Sequence, residues 1–202
     1  SLVGSEMCIR DSNGIRIGLL PFTRFLNGFH NSNFSNQPHV PLVHYDDDPT
    51  AGGLNEKQFL ELVTKESAKV DALIVLPHWG NEYQTAPRSE DRKLGVDILN
   101  AGALAVIGTH PHVVQPTEKY IDPIGSEKLI AFSLGNLVSN QDFSDANGLK
   151  RDGLLLILTL KKSSLGTLVS KVVPIPIHTE NRMNPKKKRN IQPIILSDEI
   201  VA

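Results

Sequence analysis

The sequence predicts an α/β protein: a mainly parallel, helix-covered sheet followed by consecutive strands in a second or extended sheet. Three observations predict it. Two short apolar runs, Asp71–Leu76 (DALIVL) and Ala103–Ile107, have the composition of strands buried on both faces of a parallel sheet. Amphipathic segments precede both runs, so strand and helix alternate through the middle of the chain. The later part then passes from strand to strand, with only Ser-Ser-Leu-Gly between two of them.

Taken in order, Ser1–Ser12 (SLVGSEMCIRDS) has no clean periodicity and is expected to be a non-native lead-in outside the fold. Gly14–Phe22 (GIRIGLLPF) alternates and then runs apolar into a proline, which reads as a strand. Asn27–Gly53 is rich in Asn, Pro, Asp and His without a period, and is expected to be a long, lid-like excursion. Asn55–Lys69 opens on an Asn cap and spaces Phe59, Leu62, Val63 and Ala68 along one helical face. Ser89–Gly102 is the second helix, with Leu94, Ile98 and Leu99 on one face and Ala-Gly at its end. Lys128–Leu134 (KLIAFSL) reads as another buried strand, and Asn136–Arg151 as a polar loop. Gly153–Lys161 and Leu168–Ile177 read as a β-hairpin. Asn181–Ala202 carries two prolines and the basic run Lys186–Arg189, and reads as a solvated tail. The expected division is a lead-in (1–12), one domain (13–180) and a tail (181–202).

A chain of 202 residues is long enough to bury a core without disulfides or structural metals. Its formal net charge is −1, so no bulk positive field favours nucleic acid or anionic lipid. The single cysteine, Cys8, excludes an internal disulfide. No run of apolar residues has the length of a membrane helix, and no signal peptide is visible.

Seven histidines are present, and three stand where chemistry is expected. His78 follows the strand ending at Leu76, in Pro77-His78-Trp79-Gly80. His110 and His112 follow the strand ending at Ile107, in Gly108-Thr109-His110-Pro111-His112. One helix joins the two strands, which makes a βαβ unit with both carboxyl ends at one edge of the sheet. Ligands bind at that edge in open α/β sheets. Residues two apart in an extended segment point the same way, so Pro111 is expected to hold both imidazoles on one side. Imidazole is the commonest metal ligand near neutral pH, and the three are expected to converge on one cleft. Asn136, at the end of the strand over Lys128–Leu134, is placed to bind an oxyanion or to cap a turn. The other four, His30, His39, His44 and His178, have no such context, and a place for His39 and His44 of the long excursion in a substrate cleft is the lesser reading. No zinc-finger spacing, nucleophile elbow, phosphate loop or dinucleotide fingerprint occurs, and Ser133 inside a strand is a poor nucleophile.

These residues carry a family resemblance. Leu76-Pro77-His78-Trp79-Gly80-Asn81-Glu82-Tyr83, Asn100-Ala101-Gly102-Ala103, Gly108-Thr109-His110-Pro111-His112-Val113-Val114-Gln115-Pro116, Phe132-Ser133-Leu134-Gly135-Asn136 and Arg151-Asp152-Gly153-Leu154 occur in order. Together they resemble the bacterial capsule-synthesis, CapA/PgsA-like family of poly-γ-glutamate biosynthesis, over roughly Gly14–Ile177. That family resembles the calcineurin-like metallophosphoesterases, which implies a four-layer αββα sandwich with a dinuclear centre of divalent metal ions such as Mn, Fe or Zn. The resemblance implies His78, His110 and His112 as metal ligands from the second half of that centre, with Asn136 and Glu82 as pocket residues. The family's first half carries an Asp near the first strand, a Gly-Asp pair and an Asn-His pair, and none has a counterpart here. The chain is therefore expected to be a C-terminal part of the sandwich. It is expected to lack the bridging carboxylate, to bind metal weakly or not at all alone, and to be inactive as it stands.

Two functions compete at this point. One is a metal-dependent, phosphoesterase-like hydrolase or transferase acting on a phosphoester or an activated polymer intermediate. The other is a non-catalytic envelope subunit that binds or exports an anionic polymer beside a membrane-bound polymer synthase. The resemblance implies a place in the cell envelope, and no nucleic-acid partner is expected.

Overall fold

The computed structural model describes residues 7–26, 41–45, 53–141, 146–183 and 189–196. Among the described residues, nine strands, two α-helices and a short 3-10 helix are formed: β1 (Cys8–Ser12), β2 (Ile15–Thr23), α1 (Glu56–Ser67), β3 (Ala72–His78), α2 (Ser89–Asn100), β4 (Ala105–Ile107), β5 (Thr117–Ile121), β6 (Glu127–Ala131), the 3-10 turn (Ala146–Arg151), β7 (Asp152–Ser163), β8 (Gly166–Met183) and β9 (Arg189–Ile195). They make a six-stranded sheet in the order β1-β2-β3-β4-β6-β5 and a three-stranded sheet in the order β7-β8-β9. The inner strands β2, β3, β4 and β6 are parallel, and β1 and β5 close the edges antiparallel.

Side-chain alternation explains the layers. On β3, Leu73 and Val75 join the main core with Leu20 and Phe22 of β2, Phe59 and Val63 of α1, and Leu94, Ile98 and Leu99 of α2. Ala72, one residue out of phase, faces the other way and packs with Leu104, Val169, Leu158, Leu160 and Val172. The helices thus cover one face of the large sheet, and the three-stranded sheet lies against the other. The architecture is mixed α/β.

Local chemistry sets the helix ends. Asn55 and Gln58 form a reciprocal capping box on α1, with bonds of 2.8 and 3.1 Å. At the end of α2, Gly102 takes φ +119°. Its N–H donates to the Leu99 carbonyl, and the Ala103 N–H to that of Ile98, which is a Schellman closure.

Several expectations are corrected. Cys8–Ser12 does not lie outside the fold: it pairs with β2 as an exposed edge strand. The tail expected over Asn181–Ala202 contains β9, which pairs with β8 from Ile177 to Met183. The polar loop over Asn136–Arg151 contains the 3-10 turn, with Lys150 and Arg151 buried. Strand β5 was not expected, and β6 ends at Ala131, before Ser133. Of the excursion over Asn27–Gly53, residues 41–45 and Gly53 are described. Leu42 bridges to Thr23, and Val43 to Leu54. His30, His39 and Lys186–Lys188 lie outside the described residues.

Candidate metal centre

Four parallel strands end at the same edge of the large sheet, and each delivers a residue to one place. Thr23 ends β2, His78 ends β3, the His110–His112 segment follows β4, and Asn136 follows β6. A bridge between His78 and Thr109 keeps the two histidine segments together beyond the strands. Trp79 is buried beneath them and donates its indole N–H to the Phe132 carbonyl at 2.9 Å. Gly108 passes so close to this bond that any Cβ there would collide with the Phe132 carbonyl and the indole nitrogen.

The expected extended His110-Pro111-His112 segment is corrected. His110 has φ +102° and His112 φ +60°, so the backbone is bent through the left-handed region at both. Non-glycine residues there carry about 1–3 kcal/mol of strain each, which persists only where surrounding contacts over-determine it. The bend still brings the imidazoles together. Ring centroids are 4.5 Å apart for His78 and His110, and 5.9 Å for His110 and His112. Glu82, on the turn after β3, joins His110 and His112, and one ligand atom from each lies within 4.8 Å of the others. His78 stands beside this trio, against the His110 ring.

Hydrogen bonds fix two of the ring tautomers. The Asn136 amide donates to the Lys150 carbonyl at 2.8 Å and to that of His112 at 3.3 Å. Its Oδ1 must therefore be the acceptor in the 2.8 Å contact with His112 Nδ1. His112 carries its proton on Nδ1 and leaves the Nε2 lone pair free. The Thr23 hydroxyl donates to the Phe25 carbonyl at 2.7 Å, so it accepts from His78 Nδ1 at 3.0 Å. Nε2 of His78 is again the free lone pair. An orienting partner on the far ring nitrogen is what metal-ligating histidines characteristically have.

Aromatic rings wall the site. Phe25 packs against His78 and His110 with centroids 5.4 and 4.6 Å away, and Tyr83 stacks on His112 at 6.1 Å. Burial pushes the pKa of His110 down to about 4, with His78 adding to the effect and Glu82 opposing it. Burial, then His112, lowers that of His78. Both rings are therefore neutral near pH 7, the state in which imidazole donates to a metal. Two imidazoles, that of His112 oriented by Asn136, and the Glu82 carboxylate are a donor set that fits a divalent transition ion with open positions.

Of the residues singled out from the sequence, His78, His110, His112, Glu82 and Asn136 meet here. His44 lines a separate groove with Tyr45 and α1, about 730 Å³ in volume. Sequence reasoning missed Thr23 and Phe25. The only signal was their place at the end of the first core strand, as Thr23 and His78 are 55 residues apart.

Comparison with known proteins finds a family and two relatives. Residues 4–141 match the family described as "Bacterial capsule synthesis protein PGA_cap". The chain is 34% identical over 134 residues to the "PGA biosynthesis protein CapA" of Bacillus subtilis (strain 168), covering 66% of this chain and 32% of that protein. It is 28% identical over 170 residues to the "Capsule biosynthesis protein CapA" of Bacillus anthracis, covering 82% of this chain and 36% of that protein. The chain thus spans about a third of the length of these relatives.

Proposed function

The chain belongs to the family of bacterial capsule synthesis proteins described as PGA_cap, and from that membership we propose that it serves capsule or poly-γ-glutamate biosynthesis through a metal-binding, phosphoesterase-like site. The observation that carries the reading is the trio Glu82, His110 and His112, with ligand atoms within 4.8 Å of one another. The relatives' names supply the process. The donor set supplies the chemistry.

His110, His112 and Glu82 would hold one divalent ion, of the Mn, Fe or Zn class, and His78 would serve a second ion or the substrate. Such an ion polarises a phosphoryl or acyl oxygen and lowers the pKa of bound water. The chain's own residues prepare the place. Asn136 and Thr23 hold two imidazoles in one tautomer, and Phe25 shields the His78 and His110 rings from water. The neutral His110 and His78 keep ring lone pairs available to an ion. We further propose the αββα sandwich as the complete architecture, with α1 and α2, the six-stranded sheet and the three-stranded sheet as three of its layers. The place of work would be the cell envelope beside a membrane-bound polymer synthase, on a phosphoester or polymer substrate. No helix among the described residues is long and apolar enough to cross a membrane.

Calorimetric titration with Zn²⁺ tests the reading. With part of the centre's ligand set, the parent chain is expected to bind Zn²⁺ weakly, at no more than about one equivalent, and His110→Ala is expected to lose most of that affinity. Equal titration curves for the two would refute the proposed ligand set.

A further inference from the structure

The turn that carries Glu82 has an unusual support. Gly80 and Tyr83 both have positive φ, +87° and +64°. Two backbone amides pin the turn. The Tyr83 N–H donates to the Pro111 carbonyl at 2.7 Å, inside the His110-Pro111-His112 segment. The Gly80 N–H points to the Tyr45 hydroxyl at 3.4 Å. Tyr45 comes from the segment between β2 and α1. That segment is tied to the end of β2, with the Val43 N–H on the Thr23 carbonyl at 2.9 Å and the Thr23 N–H on the Pro41 carbonyl at 2.8 Å.

The Tyr45 ring is held between two guanidinium groups. Arg24 lies 3.8 Å from its centroid and Arg88 4.4 Å. Such stacking is worth more where the cation is desolvated, and the Arg24 side chain is wholly buried, with one bond of 2.7 Å to Glu56. Asp91 is also buried, at 1% exposure, and its Oδ2 is a near neighbour of Gly80. Asp91 faces Arg88, Arg24 and the Tyr45 hydroxyl, and Nε and Nη1 of Arg24 have no hydrogen-bond partner among the described residues. Buried charges left this way are costly, and a local arrangement that keeps them calls for a role.

We propose that Tyr45 is a positioning residue for Glu82. Clamped between Arg24 and Arg88 and set against Asp91, it fixes Gly80, and through Gly80 the turn that presents the carboxylate to His110 and His112. The same contact couples the 41–45 segment to the site, because Tyr45 belongs to that segment and Gly80 to the turn. The inference rests on the reading of Glu82 as a ligand.

The test is Tyr45→Phe, which keeps the ring between the guanidiniums and removes the hydroxyl. Arg88→Lys, which keeps a cation but not the planar stack, is the second variant. Amide hydrogen exchange of the apo chain is read at Gly80 and Tyr83, and Co²⁺ binding is followed by its visible spectrum. Tyr45→Phe is expected to speed exchange at both amides, to change the Co²⁺ bands and to weaken Co²⁺ by about tenfold, as loss of an orienting partner does. Arg88→Lys is expected to do the same to a smaller degree, and exchange in α1 is expected to stay unchanged in both. Parental exchange at Tyr83, with parental Co²⁺ binding where the parent binds, would overturn the proposal. If the parent binds no Co²⁺, the metal reading falls, and exchange at Tyr83 alone decides whether Tyr45 positions the turn.

Discussion

His110 combines backbone strain with a partly buried imidazole. Its backbone sits at φ +102°, and burial holds its pKa near 4. An ordinary histidine titrates near 6.5, so the unfolded chain binds more protons than the folded one between those values. The sign then follows: stability is full above about pH 6.5 and is lost as pH falls towards 4. The ring is partly solvated, so the loss is on the order of 1 kcal/mol. Urea unfolding from pH 7.5 to 4.5 checks this, and His110→Gln is expected to flatten the curve. Asn136 acts on its neighbour instead. Asn136→Ala frees His112 Nδ1 and removes the amide that donates to the Lys150 carbonyl. Metal affinity is expected to fall about 10–100-fold with His110 and Glu82 intact, which a Zn²⁺ titration reads directly.

At the scale of elements, what was legible followed burial. Strands β2, β3 and β4 and both helices could be read because their apolar spacing is dictated by the core they face. Strands β5 and β9 could not. β5 (TEKYI) is polar at three of its five positions and alternates between exposed and half-buried residues, and β9 (RNIQPII) carries a proline on an edge strand. The Asn55 capping box predicts that Asn55→Ala costs about 1 kcal/mol, read as a lower thermal midpoint. Gly108 is a harsher case. Its missing Cβ makes room for the indole bond beneath the histidines. Gly108→Ala is expected to cost about 1–3 kcal/mol by overpacking, and to weaken metal binding because Trp79 carries His78 on its N-terminal side. Unchanged stability and affinity would show that the close approach is not what holds this edge.

For the whole molecule, the candidate site lies where four parallel strands end together, and part of that convergence was visible in the sequence: histidines just after the apolar runs of β3 and β4, and Asn136 after that of β6. Their orientation was not visible. It depends on Thr23 reaching His78 across 55 residues and Asn136 reaching His112 across 24, contacts that only the assembled sheet creates. The bend at His110 and His112 was equally hidden, since His-Pro-His alone suggests an extended segment. The second sheet docks through a small patch, Ala72, Leu104 and Val169. Val169→Asp places a charge in it and is expected to lower the urea midpoint sharply, while His110 and His112, at the far ends of other strands, keep their metal affinity.

The measurement that tests the central claim most directly is anomalous diffraction from crystals of this chain grown with Zn²⁺. The account predicts a peak bonded to Glu82, His110 and His112 at about 2.0–2.2 Å. A peak elsewhere, or none at this edge at saturating Zn²⁺, would contradict it.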